Sequence, residues 1–172
     1  VTASVTLESG ELAGSATRPN SNRRRRDKEL PREAQRALRE SLASPARFNR
    51  WSTPVSGLSV SAIQPIDLDD QRRLTVIAVK NTTQSGLRIV ANGPDLELLT
   101  LNDSGQAVQV RPINRLHLEA SSVGGVIPAG ATVYYAIIYE AQVLDTAQRV
   151  RLSIAQDRAA DQPASTELTG AN

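Results

Sequence analysis

What most restricts this chain is the spacing of its turn residues. From about residue 55 onward, short apolar runs of strand character follow one another, separated by Gly, Pro, Asn, Asp and Ser. No connection between them is long enough for a crossover helix, which disfavours a parallel α/β sheet. The pattern predicts strands over 56–64, 72–81, 86–91, 95–102, 106–112, 115–121, 131–142 and 148–157. Short strands at this density, with turns between them, define a mainly β sandwich or barrel. Along 74–79 both alternating sets are apolar, so both faces of that run are expected to be buried, in the middle of a sheet. Asn92-Gly93-Pro94 reads as a turn, and Asn102-Asp103-Ser104-Gly105 as a hairpin. On the 131–142 strand, Val133, Tyr135, Ile137 and Tyr139 share a face.

The first third of the chain has a different character. Val1, Ala3, Val5 and Leu7 alternate with polar residues, as on one face of an extended strand. A stretch rich in Gly, Ser, Thr and Asn follows and reads as a flexible linker leading into Arg23-Arg24-Arg25-Arg26. Four adjacent arginines repel one another, so the run is expected to be extended and solvated. Leu30, Ala34, Ala37, Leu38 and Leu42 then recur at helical spacing, predicting a helix over 30–44. Pro31 suits its first turn, and Ser44-Pro45 ends it. The apolar stripe is narrow, so this helix needs something to lie against, with Phe48 and Trp51 as anchors. The expected organisation is an extended basic arm over 1–54, a sandwich over 55–158 and a flexible tail over 159–172. In this reading the body folds without residues 1–50.

Charge follows the same division. Residues 1–50 carry 11 Arg and Lys against 6 Asp and Glu, whereas residues 51–172 carry 9 against 12. A basic arm therefore precedes a mildly acidic body. No apolar run approaches the ~20 residues of a membrane-spanning helix. The sequence contains no Cys, which excludes disulfides, thiolate metal sites and cysteine nucleophiles. It starts at Val1 without Met, as removal of an export signal would leave it, and as trimming would too.

Three stretches carry a likeness to a known class. They are Leu74-Thr-Val-Ile-Ala-Val-Lys-Asn-Thr-Thr83, Leu96-Glu-Leu-Leu-Thr-Leu-Asn-Asp-Ser-Gly105 and Ile127-Pro-Ala-Gly-Ala-Thr-Val-Tyr-Tyr-Ala136. A buried strand ending in Asn-Thr, a strand closing in an Asn-Asp-x-Gly hairpin, and a Pro-x-Gly turn into a Tyr-bearing strand resemble secreted bacterial immunoglobulin-like modules. The resemblance covers roughly residues 70–157. It implies an immunoglobulin-like antiparallel β-sandwich in a class that is mostly non-enzymatic: accessory subunits, adhesive modules and carrier domains.

Chemistry-bearing constellations are sparse. His117 is the only histidine, and alternation puts it on a polar strand face with Arg115 and Glu119. With no second His, a metal site there lacks ligands. Asp67, Asp69 and Asp70 are the tightest acidic group, but the segment has neither the Gly nor the distal Glu of an EF-hand loop, so a polar turn is expected. No nucleophile elbow, phosphate loop or dinucleotide turn occurs. No catalytic residue, metal or cofactor is assigned.

The expected function is a non-catalytic structural or accessory subunit of an exported, periplasmic or extracellular assembly. Its partners are protein subunits, copies of itself included. The residues expected to meet them are Val1, Ala3, Val5, Leu7, Arg23, Arg24, Arg25, Arg26, Leu38, Leu42, Phe48 and Trp51. The strand at 1–8 would add to a neighbour's sheet edge or equally pair with the chain's own sandwich, and the Arg run would meet an anionic surface. Nucleic acid is disfavoured by an acidic, aromatic-poor body. Two alternatives stand beside this one. A module binding carbohydrate, peptide or anionic polymer would expose Trp51, Tyr134, Tyr135 or Tyr139. A hydrolase would bring dispersed carboxylates together.

Overall fold

The computed structural model describes residues 21–168, with side chains from Arg24 onward. Helix α1 (Ser21–Ala43) is followed by β1 (Leu58–Ala62), β2 (Ile66–Asp69), β3 (Arg72–Asn81), β4 (Leu87–Arg88), β5 (Asp95–Leu101) and β6 (Ala107–Pro112). Then come β7 (Arg115–Ala120), β8 (Val126–Ile127), β9 (Thr132–Glu140), β10 (Gln148–Ile154) and β11 (Ala164–Leu168). One sheet runs β1-β3-β9-β7, with β2 also paired to β3, and the second runs β11-β10-β5-β6. The short β4 and β8 pair separately.

All these pairings are antiparallel. With β1, β3, β5, β6, β7, β9, β10 and β11 lettered A, B, C, C′, D, E, F and G, the sheets read A-B-E-D and C′-C-F-G. That is the immunoglobulin strand order with one added C′ strand. The fold is therefore the expected immunoglobulin-like sandwich. It lacks the inter-sheet disulfide of antibody domains. Ile77 and Val79 on β3 and Val150 and Leu152 on β10 belong to one aliphatic core between the sheets.

The two-sided burial expected along 74–79 is present, and its cause is the helix. Along β3, Ile77 and Val79 join the core between the sheets, whereas Leu74, Val76 and Ala78 join a second cluster with Leu30, Ala34 and Leu38 of α1. On β9, Tyr135, Ile137 and Tyr139 face inward, and Ala136 and Ile138 face the helix. The body thus has three layers: helix, sheet, sheet.

This corrects the picture of an extended arm. The helix begins at Ser21 instead of residue 30, so the Arg run is helical and Pro31 lies inside the helix. Arginine is a good helix former. Two long ion pairs, Arg26–Asp69 at 3.9 Å and Asp27–Arg72 at 4.0 Å, link this turn to the β2–β3 corner.

Three further segments depart from expectation. The polar turn expected at 67–70 is in part strand β2. It continues the line of β1 along β3 after a break at Pro65, with Ile63 N–H bridging to the Val76 carbonyl at 3.0 Å. The flexible tail expected from 159 contains β11, an edge strand whose Ala164 and Leu168 lie opposite Ile154 and Val150 and close the core. Third, β7 carries a bulge between Arg115 and His117.

Tyr139 gives the core a pH signature. Burial, with Asp67 nearby and Arg73 opposing, pushes its phenol up to about 12. Because the folded-state value lies above the unfolded one near 10, stability is intact below pH ~10 and falls progressively toward pH ~12. Tyr139→Phe should remove roughly 2–3 kcal/mol of that alkaline loss. Urea titrations at pH 8 and pH 11.5 check this. Equal alkaline loss in both proteins would show that Tyr139 is not its source.

Candidate functional site

The residues expected to carry recognition are split by the fold. Leu38 and Phe48, expected to face a partner, are instead buried against the chain's own sheet. Phe48 meets Tyr134 edge-on, with ring centroids 5.3 Å apart. A helix with a narrow apolar stripe lowers its free energy by covering that stripe, and the outer face of β3 and β9 is the apolar surface beside it. Leu42 and Trp51 remain exposed. Val1, Ala3, Val5 and Leu7 lie outside the described residues, and Arg23 contributes helical backbone.

The Arg run does not act as a unit once it is helical. At about 100° per residue, adjacent arginines point in different directions. Arg26 leans toward Asp69, and Arg24 and Arg25 are exposed on other sides. The cationic surface is built from residues far apart in sequence. Arg25, Lys28, Arg32, Arg36 and Arg39 lie within about 40° of one line along the helix, opposite the buried Leu30, Ala34 and Ser41. All five are exposed, and the line from Arg25 to Arg39 is about 21 Å long. The acids sit on the flanks, the exposed Glu29 nearest at about 60° from that line. Glu33 and Glu40 share a flank, where Arg36 bonds Glu33 and approaches Glu40 at 4.0 Å, and Asp27 points toward Arg72. Among the described residues Arg25, Lys28, Arg32 and Arg39 have no ion-pair partner.

A second open surface is β6. It forms the edge of its sheet, paired on one side with β5, and all six of its residues are exposed. Val108 is 64% exposed and Val110 49%. Val110 lies opposite Leu99 on the outer face of the sheet, and Arg111 and Pro112 close the strand.

The acidic group is committed to arginines. Asp69 accepts from Arg72 Nε at 2.8 Å and Nη2 at 2.6 Å, and these bonds hold its carboxyl below the usual range despite burial. Asp67 accepts from Arg73 Nε at 2.6 Å. They border a cleft of about 960 Å³ that also meets Asp145, Arg149 and Glu167. Among the described residues no three of His, Cys, Asp and Glu converge as a metal site.

His117 does not share a face with Arg115 as alternation suggested. The bulge sets Arg115 opposite Tyr139, on the side facing the second sheet. His117 and Glu119 lie opposite Ile138 and Ala136, on the helix side. Arg115 Nη1 accordingly donates to the Asn92 and Pro94 carbonyls, both at 2.7 Å, and His117 Nε2 lies 3.4 Å from Glu119. Of the four aromatics proposed for ligand stacking, Tyr135 and Tyr139 are buried, Tyr134 is half-buried beside Phe48, and Trp51 is 40% exposed.

This is a helix-clad sandwich of immunoglobulin strand order, with a cationic helix face and, among its edge strands, a β6 exposed at every residue. No protein-family model matches the chain. No curated protein matches it in sequence. Solved structures resemble it at low identity. The archaellum periplasmic stator protein FlaG from Sulfolobus acidocaldarius is 13% identical with a TM-score of 0.39, over 64% of this chain and 98% of that one. The stator complex of FlaF and FlaG from the same organism gives 14% and 0.40, over 67% and 90%. An uncharacterized β-sandwich protein from Clostridium difficile 630 gives 10% and 0.38, over 71% and 91%. Likenesses of this size carry no functional inference. No described helix is long and apolar enough to cross a membrane.

Proposed function

We propose that the chain is a non-catalytic structural or accessory subunit of an envelope or extracellular multi-protein assembly, joined to its neighbours by strand addition at β6. The observation that carries this reading is the β6 edge. It presents six exposed residues and two outward valines, in a fold that covers the outer face of its other sheet with a helix. An unpaired edge templates pairing with another chain, and here the bulge at Val108 and Pro112, which blunt an edge, confine such pairing to the stretch between them. Val1, Ala3, Val5 and Leu7 alternate with polar residues in the sequence, the pattern that strand addition at such an edge calls for. In this reading the neighbours include copies of the chain, and Leu42 and Trp51 add contacts beside the helix.

Sedimentation velocity over a range of concentrations tests the reading. The full-length chain should associate, and Val110→Lys or deletion of residues 1–8 should shift it to monomer. A wild-type chain monomeric throughout, or a Val110→Lys variant that associates as well as wild type, would refute edge-mediated assembly.

A further inference from the structure

We infer that the outward face of α1 is a docking surface for an anionic lipid bilayer, engaged electrostatically by Arg25, Lys28, Arg32 and Arg39. The inference is independent of the β6 edge, since a different element carries it.

Shape and charge lead to it together. A helix laid on the outside of a sheet is a convex ridge. Side chains projecting from one line of a convex ridge reach a plane simultaneously. The four cations share that line, no acid lies closer than about 60° from its centre, and none of the four has an ion-pair partner among the described residues. Their charge is therefore available to an external anion. The apolar face of the helix is already consumed by Leu74, Val76, Ala78, Ala136 and Ile138. The helix therefore lies on headgroups without inserting an apolar face, unlike an amphipathic membrane helix, whose apolar face is in the acyl region. Each basic residue held at an anionic membrane surface adds to the attraction, which falls off within a Debye length.

Nucleic acid fits less well. Single-strand readers offer a positively charged groove with aromatic platforms. Here the surface is a ridge, Trp51 is the one exposed aromatic among the described residues, and residues 51–172 carry 9 basic against 12 acidic groups.

The test is co-sedimentation of the full-length chain with vesicles of phosphatidylcholine alone and of phosphatidylcholine with 30% phosphatidylglycerol, at about 50 and 300 mM salt. Binding is expected to the anionic vesicles only, with loss at high salt. In the Arg25→Gln/Lys28→Gln/Arg32→Gln/Arg39→Gln variant, binding should weaken on the order of a thousandfold while the circular dichroism spectrum stays unchanged. The helix-packing residues are untouched in that variant. No binding by wild type, equal binding to neutral vesicles, or undiminished binding by the variant would each overturn the inference. So would tighter binding to a 20-nucleotide single strand than to anionic vesicles at equal salt, which would assign the ridge to nucleic acid.

Discussion

Asn81→Asp should destabilise the protein by roughly 3 kcal/mol or more and lower Tm by on the order of 10 °C, although it changes one atom of a side chain of the same shape. Asn81 ends β3 and is fully buried. The two hydrogens of its amide nitrogen are shared among three carbonyls, of Ser85 at 2.7 Å, Ile127 at 3.0 Å and Pro128 at 3.2 Å. Its Oδ1 accepts from the Thr83 backbone N–H at 2.9 Å and the Thr83 hydroxyl at 2.7 Å. One side chain thus ties the loop after β3 to the segment leading into β9. The neighbouring Gly57 is fitted to the same corner: its φ is 84°, and a Cβ there would lie 2.5 Å from Thr83 Cγ2. An aspartate would set a carboxylate oxygen against three carbonyl oxygens at a position with no exposed surface. A buried polar group left without partners costs about 1–3 kcal/mol, and more when it is charged. Urea denaturation at pH 7 measures the loss. A midpoint within about 0.5 kcal/mol of wild type would mean that the Asn81 network does not hold this corner.

A chain beginning at Val55 should fail to fold into a stable, monomeric sandwich. The sequence suggested the opposite, because residues 1–54 read there as an appendage. In the structure, removing them uncovers Leu74, Val76, Ala78, Ala136 and Ile138 on one continuous sheet face. It also deletes the burial of Leu30, Leu38 and Phe48. At about 2 kcal/mol for each large side chain, the loss is comparable to the whole stability of an ordinary domain. The truncated chain should bind a hydrophobic dye, aggregate, and lack a cooperative melt. In the intact chain, Ala34→Glu tests the same contact, because Ala34 has no exposed surface between helix and sheet. A truncated chain that melted cooperatively as a monomer would show the helix to be dispensable.

The strands at the centre of the molecule were legible because their pattern is unusual. The run 74–79, apolar except for Thr75, demands cover on both faces. The narrow apolar stripe of the helix demanded a surface as well. The two needs meet each other in the structure, and setting them side by side would have placed the helix. Strand β11 was not legible. Its middle residues Ser165, Thr166 and Glu167 are polar, so of the three that face inward, Ala164, Thr166 and Leu168, only the two ends are apolar. Period-two alternation placed His117 wrongly relative to Arg115, since one bulged residue exchanges the faces of everything before it. The cationic ridge was hidden for a related reason. A run of four arginines draws the eye, whereas the surface is assembled from single residues spaced three or four apart, and it appears only once the helix is known to extend back to Ser21.

The claim on which this account stands is that α1 is a layer of the fold, bound as firmly as the strands beneath it. Hydrogen exchange of the intact chain, read by mass spectrometry, measures this directly. Peptides covering residues 30–43 should exchange orders of magnitude more slowly than an unstructured chain and lose protection together with β3 and β9 as denaturant is added. Exchange of those peptides at the unprotected rate, while β3 and β9 stay protected, would contradict it.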